Sequence, residues 1–189
     1  MTVQLSRKQW TREEYLRLAD LDFFEGQRVE LMYGEILRMS PQKKPHALTI
    51  GRLTTVLVRV YGETHIVRVQ CPLDLTQDSQ PEPDIAVVPI AVVEEADPHP
   101  GTADLVVEIS ASSLNYDRRE KGALYALAGI PSYWLFNLKN RSLEVYTLPA
   151  PLPSERTGFG YKSRVVYGER ESVSLPGSTQ LLELSKVFP

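Results

Sequence analysis

The chain has little of several residue types on which whole classes of protein depend. Cysteine occurs once, at Cys71, so no internal disulfide can form and a reducing compartment, the cytoplasm, is expected. With this single thiol and only three histidines, the usual ligand set of a zinc enzyme is missing. The chain also has no excess of basic residues, since 21 Lys and Arg stand against 24 Asp and Glu for a net charge of −3. Any contact with nucleic acid would therefore need a local basic patch or bound metal cations.

Long apolar runs are absent as well. The longest, from Ile85 to Val93, is interrupted by Pro89 and is too short to span a bilayer. The N-terminal segment MTVQLSRKQWTREEY has no apolar stretch of the kind found in signal peptides, so no membrane partner is expected. The chain has 189 residues, of which 42% are hydrophobic and 24% charged, and this predicts one globular domain over residues 1–189.

Hydrophobic periodicity predicts a mixed α/β fold with extra β structure at both ends. Thr11 begins a capping box for a first helix, and two short strands are expected around Tyr33-Gly34. The longer helices are expected from about His46 to Gly62 and from Ser113 to Ala128, where Gly129 ends the second. Central strands are predicted within residues 64–76, 83–90 and 105–110, a hairpin around residues 139–141, and a loop over residues 149–160.

Two acids interrupt otherwise apolar strands. Glu108 lies inside LVVEIS, where a carboxylate is costly to bury unless it is paired or bound to a cation. Asp84 opens the other apolar strand, directly after Pro83. On neighbouring strands about 4.8 Å apart, the two carboxylates could share one Mg²⁺. The alternative is that Asp84 only caps a strand and that Glu108 pairs with a basic side chain.

Lys121 occupies the centre of the apolar arc of the helix predicted over residues 113–128. At about 100° per residue, its neighbours within about 60° are Leu114, Leu124, Tyr125 and Ala128. The solvent side of the same helix is expected to carry Arg119, Glu120 and Ala123. This position favours a functional lysine that Asp117, one turn earlier, could orient. The alternative is a lysine whose stem packs while its ammonium group reaches solvent.

Two further polar residues lie in apolar surroundings. His46 begins the apolar stripe of the helix predicted from about residue 46 to 62, where a histidine is most often a core residue with its hydrogen bonds satisfied. Glu30 lies between Val29 and Leu31, and it fits a structural ion pair as well as an active-site role.

The chain resembles the Uma family of predicted restriction endonucleases, within the PD-(D/E)XK nuclease superfamily, in three blocks: RVELMYGEILRMSP, PEPDIAVV and ADLVVEISASSLNYDRREKGALYALAGIPSYWLFN. The likeness runs from about Thr11 to the C-terminus. Pro83-Asp84 matches the family's PD, and Glu108 matches its (D/E). The superfamily's lysine would stand at Ser110, and in this chain Lys121 takes its place from the helix.

The resemblance implies a restriction-endonuclease-like core, which is a mixed central sheet flanked by helices, and hydrolysis of DNA that depends on Mg²⁺ or Mn²⁺. Asp84 and Glu108 would ligate the metal, and Lys121 would act on the transition state. Secondary candidates for the site are Glu30, His46 and Asp117. Two alternatives stay open: a nucleic-acid-binding or interaction module that keeps the fold without the activity, and a different metal-dependent hydrolase. The sequence also leaves open whether the chain forms a homo-oligomer.

Overall fold

The computed structural model describes residues 7–189, in which helices separate groups of strands up to residue 137 and the remaining strands follow one another. The strands are β1 (Val29–Met32), β2 (Glu35–Arg38), β3 (His65–Val69), β4 (Ile85–Pro89), β5 (Leu105–Ser110), β6 (Ser132–Asn137), β7 (Ser142–Pro151), β8 (Phe159–Gly168), β9 (Ser172–Ser174) and β10 (Leu181–Glu183). The α-helices are α1 (Arg12–Asp20), α2 (Lys44–Tyr61), α3 (Ile90–Glu95), α4 (Leu114–Tyr116) and α5 (Gly122–Leu127). A π-helical turn, Asp117–Lys121, joins α4 to α5, and a 3₁₀ turn, Leu184–Lys186, follows β10.

Six of the strands form one mixed sheet in the order β3-β4-β5-β6-β7-β8. β5 and β6 are parallel, and every other neighbouring pair in this sheet is antiparallel. The hairpins β1-β2 and β9-β10 form two small sheets near the two ends of the chain. The predicted fold class, a mixed central sheet flanked by helices with extra β structure at both ends, is confirmed.

Helices pack on both faces of the sheet. α2 covers one face through the stripe that its helical spacing predicts, Ile50, Leu53, Leu57 and Tyr61. The opposite face lies under Tyr125 and Ile130, which pack on alternate residues of the same strands, such as Val106 and Tyr133. Within residues 7–189, no helix combines the length and the apolar character that crossing a membrane requires. The prediction that the N-terminal segment is not a signal peptide concerns residues 1–15, and the first six of these lie outside the described residues.

Three predicted boundaries were wrong. The strand expected within residues 64–76 ends at Val69, because the next residue, Gln70, has a left-handed backbone with a φ of 51°. Ile90, the last residue of the strand predicted within residues 83–90, instead begins the helix α3, which runs to Glu95. The loop expected over residues 149–160 is shorter, because Pro149 and Pro151 belong to β7 and pair with β8. Both prolines lie beyond the last residue of β7 that pairs with β6, where a missing N–H disrupts no ladder on that side.

The helix predicted over residues 113–128 is not a regular α-helix. Its central turn is the π-helical segment Asp117–Lys121, which holds one more residue than an α-helical turn. Each residue after that turn is therefore displaced around the helix axis by about 100° relative to a continuous α-helix. This displacement explains why Ala123, which regular spacing puts on the solvent side, is only 2% exposed.

Candidate active site

Asp84 lies just before β4 and is held from two directions. Its Oδ2 accepts the backbone N–H of Ile109 on β5 at 2.8 Å and lies 3.0 Å from His46 Nε2 on α2. Among residues 7–189, its Oδ1 has one hydrogen-bond contact, a long one of 3.4 Å with the side-chain amide of Gln70. The carboxyl group is therefore fixed through one oxygen, while the other is free to bind a further partner.

Glu108 projects from β5 towards the π-helical turn and α5, on the face of the sheet opposite to α2. This residue is 5% exposed. Its Oε1 accepts hydrogen bonds from Lys121 Nζ at 3.0 Å and from the Tyr125 hydroxyl at 2.6 Å. Among residues 7–189, no side chain or backbone group donates to its Oε2. Glu108 thus repeats the arrangement of Asp84, with one oxygen held and one oxygen free.

Lys121 stands between two carboxylates. Besides Glu108, its Nζ lies 3.4 Å from Glu30 Oε2, and its side chain is 7% exposed. Glu30 comes from β1, and its Oε2 is also held by the backbone N–H of Glu82 at 3.3 Å. The predicted burial of Lys121 is confirmed, and its ammonium group does not reach solvent as a snorkelling lysine would.

Asp117 has a different partner from the one expected. Lys121 forms its ion pairs with Glu108 and Glu30, whereas Asp117 accepts the Ser113 hydroxyl at 2.6 Å. The Ser113 hydroxyl in turn lies 3.3 Å from that of Ser110, the residue at the usual lysine position of the superfamily. Asp117 therefore acts on Lys121 through its charge and not through a direct contact.

The electrostatics of the site follow from burying several carboxylates around one lysine. The pKa of Glu108 is raised to about 8, chiefly by burial and with smaller contributions from the charges of Asp84 and Asp117, while Lys121 opposes the rise. Burial alone would lower the pKa of Lys121, but the charges of Glu108, Glu30 and Asp117 outweigh it and raise this pKa well above its usual value. Burial also raises the pKa of the Asp117 carboxyl. The acidic groups outnumber the lysine, so the site is suited to a cation.

The donor set fits a hard divalent cation that keeps part of its hydration. The free oxygens, Asp84 Oδ1 and Glu108 Oε2, are of the type that Mg²⁺ prefers, and Mg²⁺ is commonly held by one or two carboxylates with water and substrate phosphate. In residues 7–189, no three His, Cys, Asp or Glu side chains converge closely enough to hold a metal ion by themselves. A cation here would thus depend on two protein ligands and on solvent or substrate for the others.

Three residues that contact the site were not singled out as functional by the sequence pattern. Tyr125 was identified only as part of the apolar arc, although its spacing of four residues from Lys121 places both on one helical face. Gln70 and the backbone of Ile109 gave no signal, because their contacts with Asp84 depend on how the strands meet. The structure brings together Asp84, His46, Glu108, Lys121 and Glu30, with Asp117 beside them.

A restriction-endonuclease-like core with two strand carboxylates and a lysine defines the class of this protein as nuclease-like. More particularly, the chain belongs to the Uma2 family, described as "Putative restriction endonuclease", whose model matches residues 12–185. The family resemblance is therefore confirmed.

One solved structure shares the fold of this chain. The chain is similar to a "putative nuclease belonging to DUF820" from Anabaena variabilis ATCC 29413, with 16% identity, a TM-score of 0.71, and coverage of 94% of this chain and 97% of that one. At this identity the likeness shows a shared fold alone. The type IIG restriction endonuclease BpuSI is 15% identical over 55% of this chain and 11% of its own, with a TM-score of 0.36. No curated protein matches the chain.

Proposed function

We propose that this protein is an endonuclease that hydrolyses DNA phosphodiester bonds with Mg²⁺ or Mn²⁺ bound by Asp84 and Glu108. One observation carries the proposal. Two carboxylates from neighbouring strands meet beside a buried lysine from the helix on one face, and each keeps one oxygen free of short hydrogen bonds. Membership in a family described as restriction endonucleases supports DNA as the substrate.

The charge of the site supports a requirement for metal. Four acidic side chains are buried at the site beside Lys121, so a phosphate anion would meet little net positive charge there without a bound cation: Asp84, Glu108, Glu30 and Asp117. When bound, Mg²⁺ would polarise the phosphate and lower the pKa of a bound water, the nucleophile of an in-line displacement. The net charge of −3 for the whole chain is compatible with DNA binding if the cation supplies the positive charge locally.

The residues of the chain itself would orient the reacting groups. The Ile109 N–H and His46 fix the direction of Asp84, and Tyr125 fixes Glu108. Lys121 Nζ would stabilise the negative charge that develops on the phosphoryl oxygens. It reaches Glu108 from the helix, which supports the interpretation that it replaces the strand lysine missing at Ser110.

A second candidate function is a nucleic-acid-binding module without catalysis. The observation in its favour is that Lys121 lies between Glu108 and Glu30 with only 7% of its side chain exposed, so its charge is already neutralised. In this case the protein would bind DNA and leave it intact.

A cleavage assay separates the two candidates. Plasmid and single-stranded DNA are incubated with Mg²⁺, with Mn²⁺ or with EDTA, using the wild type, Glu108→Gln and Lys121→Met. Each substitution should lower cleavage at least about 100-fold, as loss of a transition-state contact does. Glu144→Gln is the matched control, since it removes a buried carboxylate of the same sheet, on β7, that binds Arg118 instead of Lys121. Cleavage in EDTA, or undiminished cleavage by Glu108→Gln, would contradict the proposal, and binding without cleavage would favour the module.

A further inference from the structure

A cavity of about 600 Å³ opens where β5 and β6 end. These two strands are parallel, and the first residue after β6, Leu138, donates its N–H to the carbonyl of Ser110 at the end of β5 at 2.9 Å. The cavity is lined by residues 111–116, which follow β5, and by the turn between β6 and β7. In sheets with parallel strands, ligands commonly bind just beyond the carboxyl ends of the strands.

The side chains at this cavity are open to solvent and include a cation but no acid. Four polar ones are exposed: Ser112, Asn115, Lys139 and Asn140. Within residues 7–189, no acidic side chain lines the cavity, and Lys139 forms no ion pair. Asp117 lies close by, because it accepts the Ser113 hydroxyl at 2.6 Å, but it is only 4% exposed. The cavity is therefore suited to an anion.

Asn137, the last residue of β6, offers a hydrogen-bond donor at the base of the cavity. The residue is 3% exposed, and its Oδ1 accepts the backbone N–H of Asn140 at 3.1 Å, which fixes the direction of the amide group. Its Nδ2 has no acceptor among residues 7–189, and it keeps contact with solvent, because it is not one of the fully enclosed polar atoms that lack a partner. An acceptor oxygen of a ligand in the cavity would complete the hydrogen bonding of this amide.

The cavity adjoins the proposed nuclease centre. Glu108 and Ser110 lie on the same face of β5, two residues or about 7 Å apart along the strand. The Ser110 hydroxyl oxygen in turn lies 3.3 Å from that of Ser113, which lines the cavity. A DNA strand bound at the centre could therefore continue into the cavity.

From these observations we propose that the cavity binds a backbone phosphate of the DNA, about two to four nucleotides from the bond that is cleaved, given a rise of about 3.4 Å per nucleotide. Lys139 would neutralise this phosphate, and the Asn137 amide would donate to one of its oxygens. The distribution of charge supports the assignment, because acids at the nuclease centre attract a cation and the cavity beside it carries a lysine. The proposal rests on the proposed function, since it takes DNA as the substrate.

The role of Lys139 is tested by fluorescence anisotropy of a labelled DNA duplex, with Ca²⁺ in place of Mg²⁺. Lys139→Gln should weaken binding about 3- to 10-fold at about 100 mM salt. The slope of log K against log salt should fall by about 0.9, as expected for one lost phosphate contact. Lys162→Gln, which removes an exposed lysine of β8, is the matched control and should bind as the wild type does. An unchanged slope for Lys139→Gln, or an equal change for Lys162→Gln, would overturn the proposal.

The role of Asn137 is tested by Asn137→Asp. This variant keeps an acceptor for the Asn140 N–H and replaces the amide donor by a carboxylate oxygen, so DNA should bind at least about 10-fold more weakly. In a ¹H–¹⁵N spectrum of the wild type, the Asn137 side-chain signals, which Asn137→Asp assigns by their loss, should shift when the duplex is added. Unchanged DNA binding by Asn137→Asp would overturn the proposal. Signals that shift with inorganic phosphate and not with DNA would assign the cavity to free phosphate and overturn it too.

Failure of this proposal can be told apart from failure of the proposed function, because the binding measurements do not require cleavage. Cleavage by the wild type in Mg²⁺ together with an unchanged slope for Lys139→Gln would overturn the phosphate site and leave the nuclease standing. A reduced slope for Lys139→Gln in a protein that does not cleave would support the phosphate site and contradict the nuclease.

Discussion

Tyr125 holds Glu108 in place. Its hydroxyl donates a hydrogen bond to Glu108 Oε1, the same oxygen that accepts a hydrogen bond from Lys121 Nζ, so two donors fix one side of the carboxyl group. Burial raises the pKa of the Tyr125 phenol well above its usual value, and the charge of Glu108 raises this pKa further. Tyr125 is therefore a positioning residue, because it would act on the reaction through Glu108.

Tyr125→Phe should lower cleavage about 10-fold, the size of effect that a lost outer contact to a metal ligand typically has. Removal of the hydroxyl should cost about 1 kcal/mol of unfolding free energy. Tyr161→Phe is the matched control, because the Tyr161 hydroxyl donates to the Ile130 carbonyl on the same face of the sheet. It should cost similar stability and leave cleavage unchanged. Equal losses of activity in both variants would show that Tyr125 has only a structural role.

The site residues differ in how far the sequence could reveal them. Asp84, Glu108 and Lys121 could be found because each interrupts an apolar pattern, and a buried charge needs a reason. Tyr125 gave a weak signal, since tyrosine is ordinary on a buried helical face. The prediction that Asp117 is the partner of Lys121 was wrong. Lys121 pairs with Glu30, which comes from a hairpin far away in the chain, and no local spacing can predict such a contact.

Among the elements, the π-helical turn determines which residues of the helical segment from α4 to α5 face the sheet. It contains both Asp117 and Lys121, and both are buried. After it, residues Gly122–Ala126 are all buried against the sheet. In a continuous α-helix, the rotation that points Lys121 at Glu108 would turn Ala123 towards solvent. The extra residue of the π-helical turn removes this conflict, because it shifts the later residues by about one position around the helix.

Deletion of Arg119, an exposed residue of the π-helical turn, should convert that turn to a regular α-helical one. The residues before the turn or those after it would then rotate by about 100° about the helix axis. This rotation would either separate Lys121 from Glu108 or expose part of α5. The variant should lose cleavage and much of its stability, as measured by urea unfolding. Arg119→Ala, the control for loss of the side chain, should stay within about 0.5 kcal/mol of the wild type. A deletion variant with wild-type stability and activity would contradict this role of the turn.

Most helices and central strands could be predicted because their apolar periodicity is strong. The capping box at Thr11 forms as expected, with Glu14 reaching back to the cap, and Gly129 ends α5 with a positive φ of 73°. The failures concern contacts made at a distance. Pairing with β8 extends β7 through two prolines, and the π-helical turn changes the phase of a helix whose sequence reads as regular.

At the scale of the whole molecule, Glu144 on β7 connects the helical layer to the outer strand of the sheet. Its carboxylate binds Arg118 of the π-helical turn through both oxygens, Arg164 of β8 at 3.0 Å, and the Tyr146 hydroxyl at 2.6 Å. Burial alone would raise the pKa of Glu144, but the hydrogen bonds from Arg118 and Tyr146 and the charges of both arginines lower it below 4.5.

This lowered pKa makes Glu144 a source of acid-sensitive stability. A carboxyl group whose folded pKa lies below its unfolded value stabilises the fold above the unfolded pKa, and that contribution is lost as the pH falls through the folded pKa. Glu144→Gln should therefore cost about 2 kcal/mol at pH 7, and the difference from the wild type should shrink from pH 5 to pH 3. Urea unfolding at a series of pH values checks this, with the exposed Glu171→Gln as control. A difference that stays constant or grows in acid would contradict it.

The central claim is that Asp84 and Glu108 share one divalent cation, and diffraction from crystals soaked in Mn²⁺ tests it most directly. An anomalous difference peak should lie within coordination distance of Asp84 Oδ1 and Glu108 Oε2, about 2.1 Å if the site has the octahedral geometry of Mg²⁺. The peak should disappear in Glu108→Gln and persist in Lys121→Met, because Lys121 is not a ligand. A peak that persists in Glu108→Gln, or Mn²⁺ bound only elsewhere while these two carboxylates stay empty, would contradict the account.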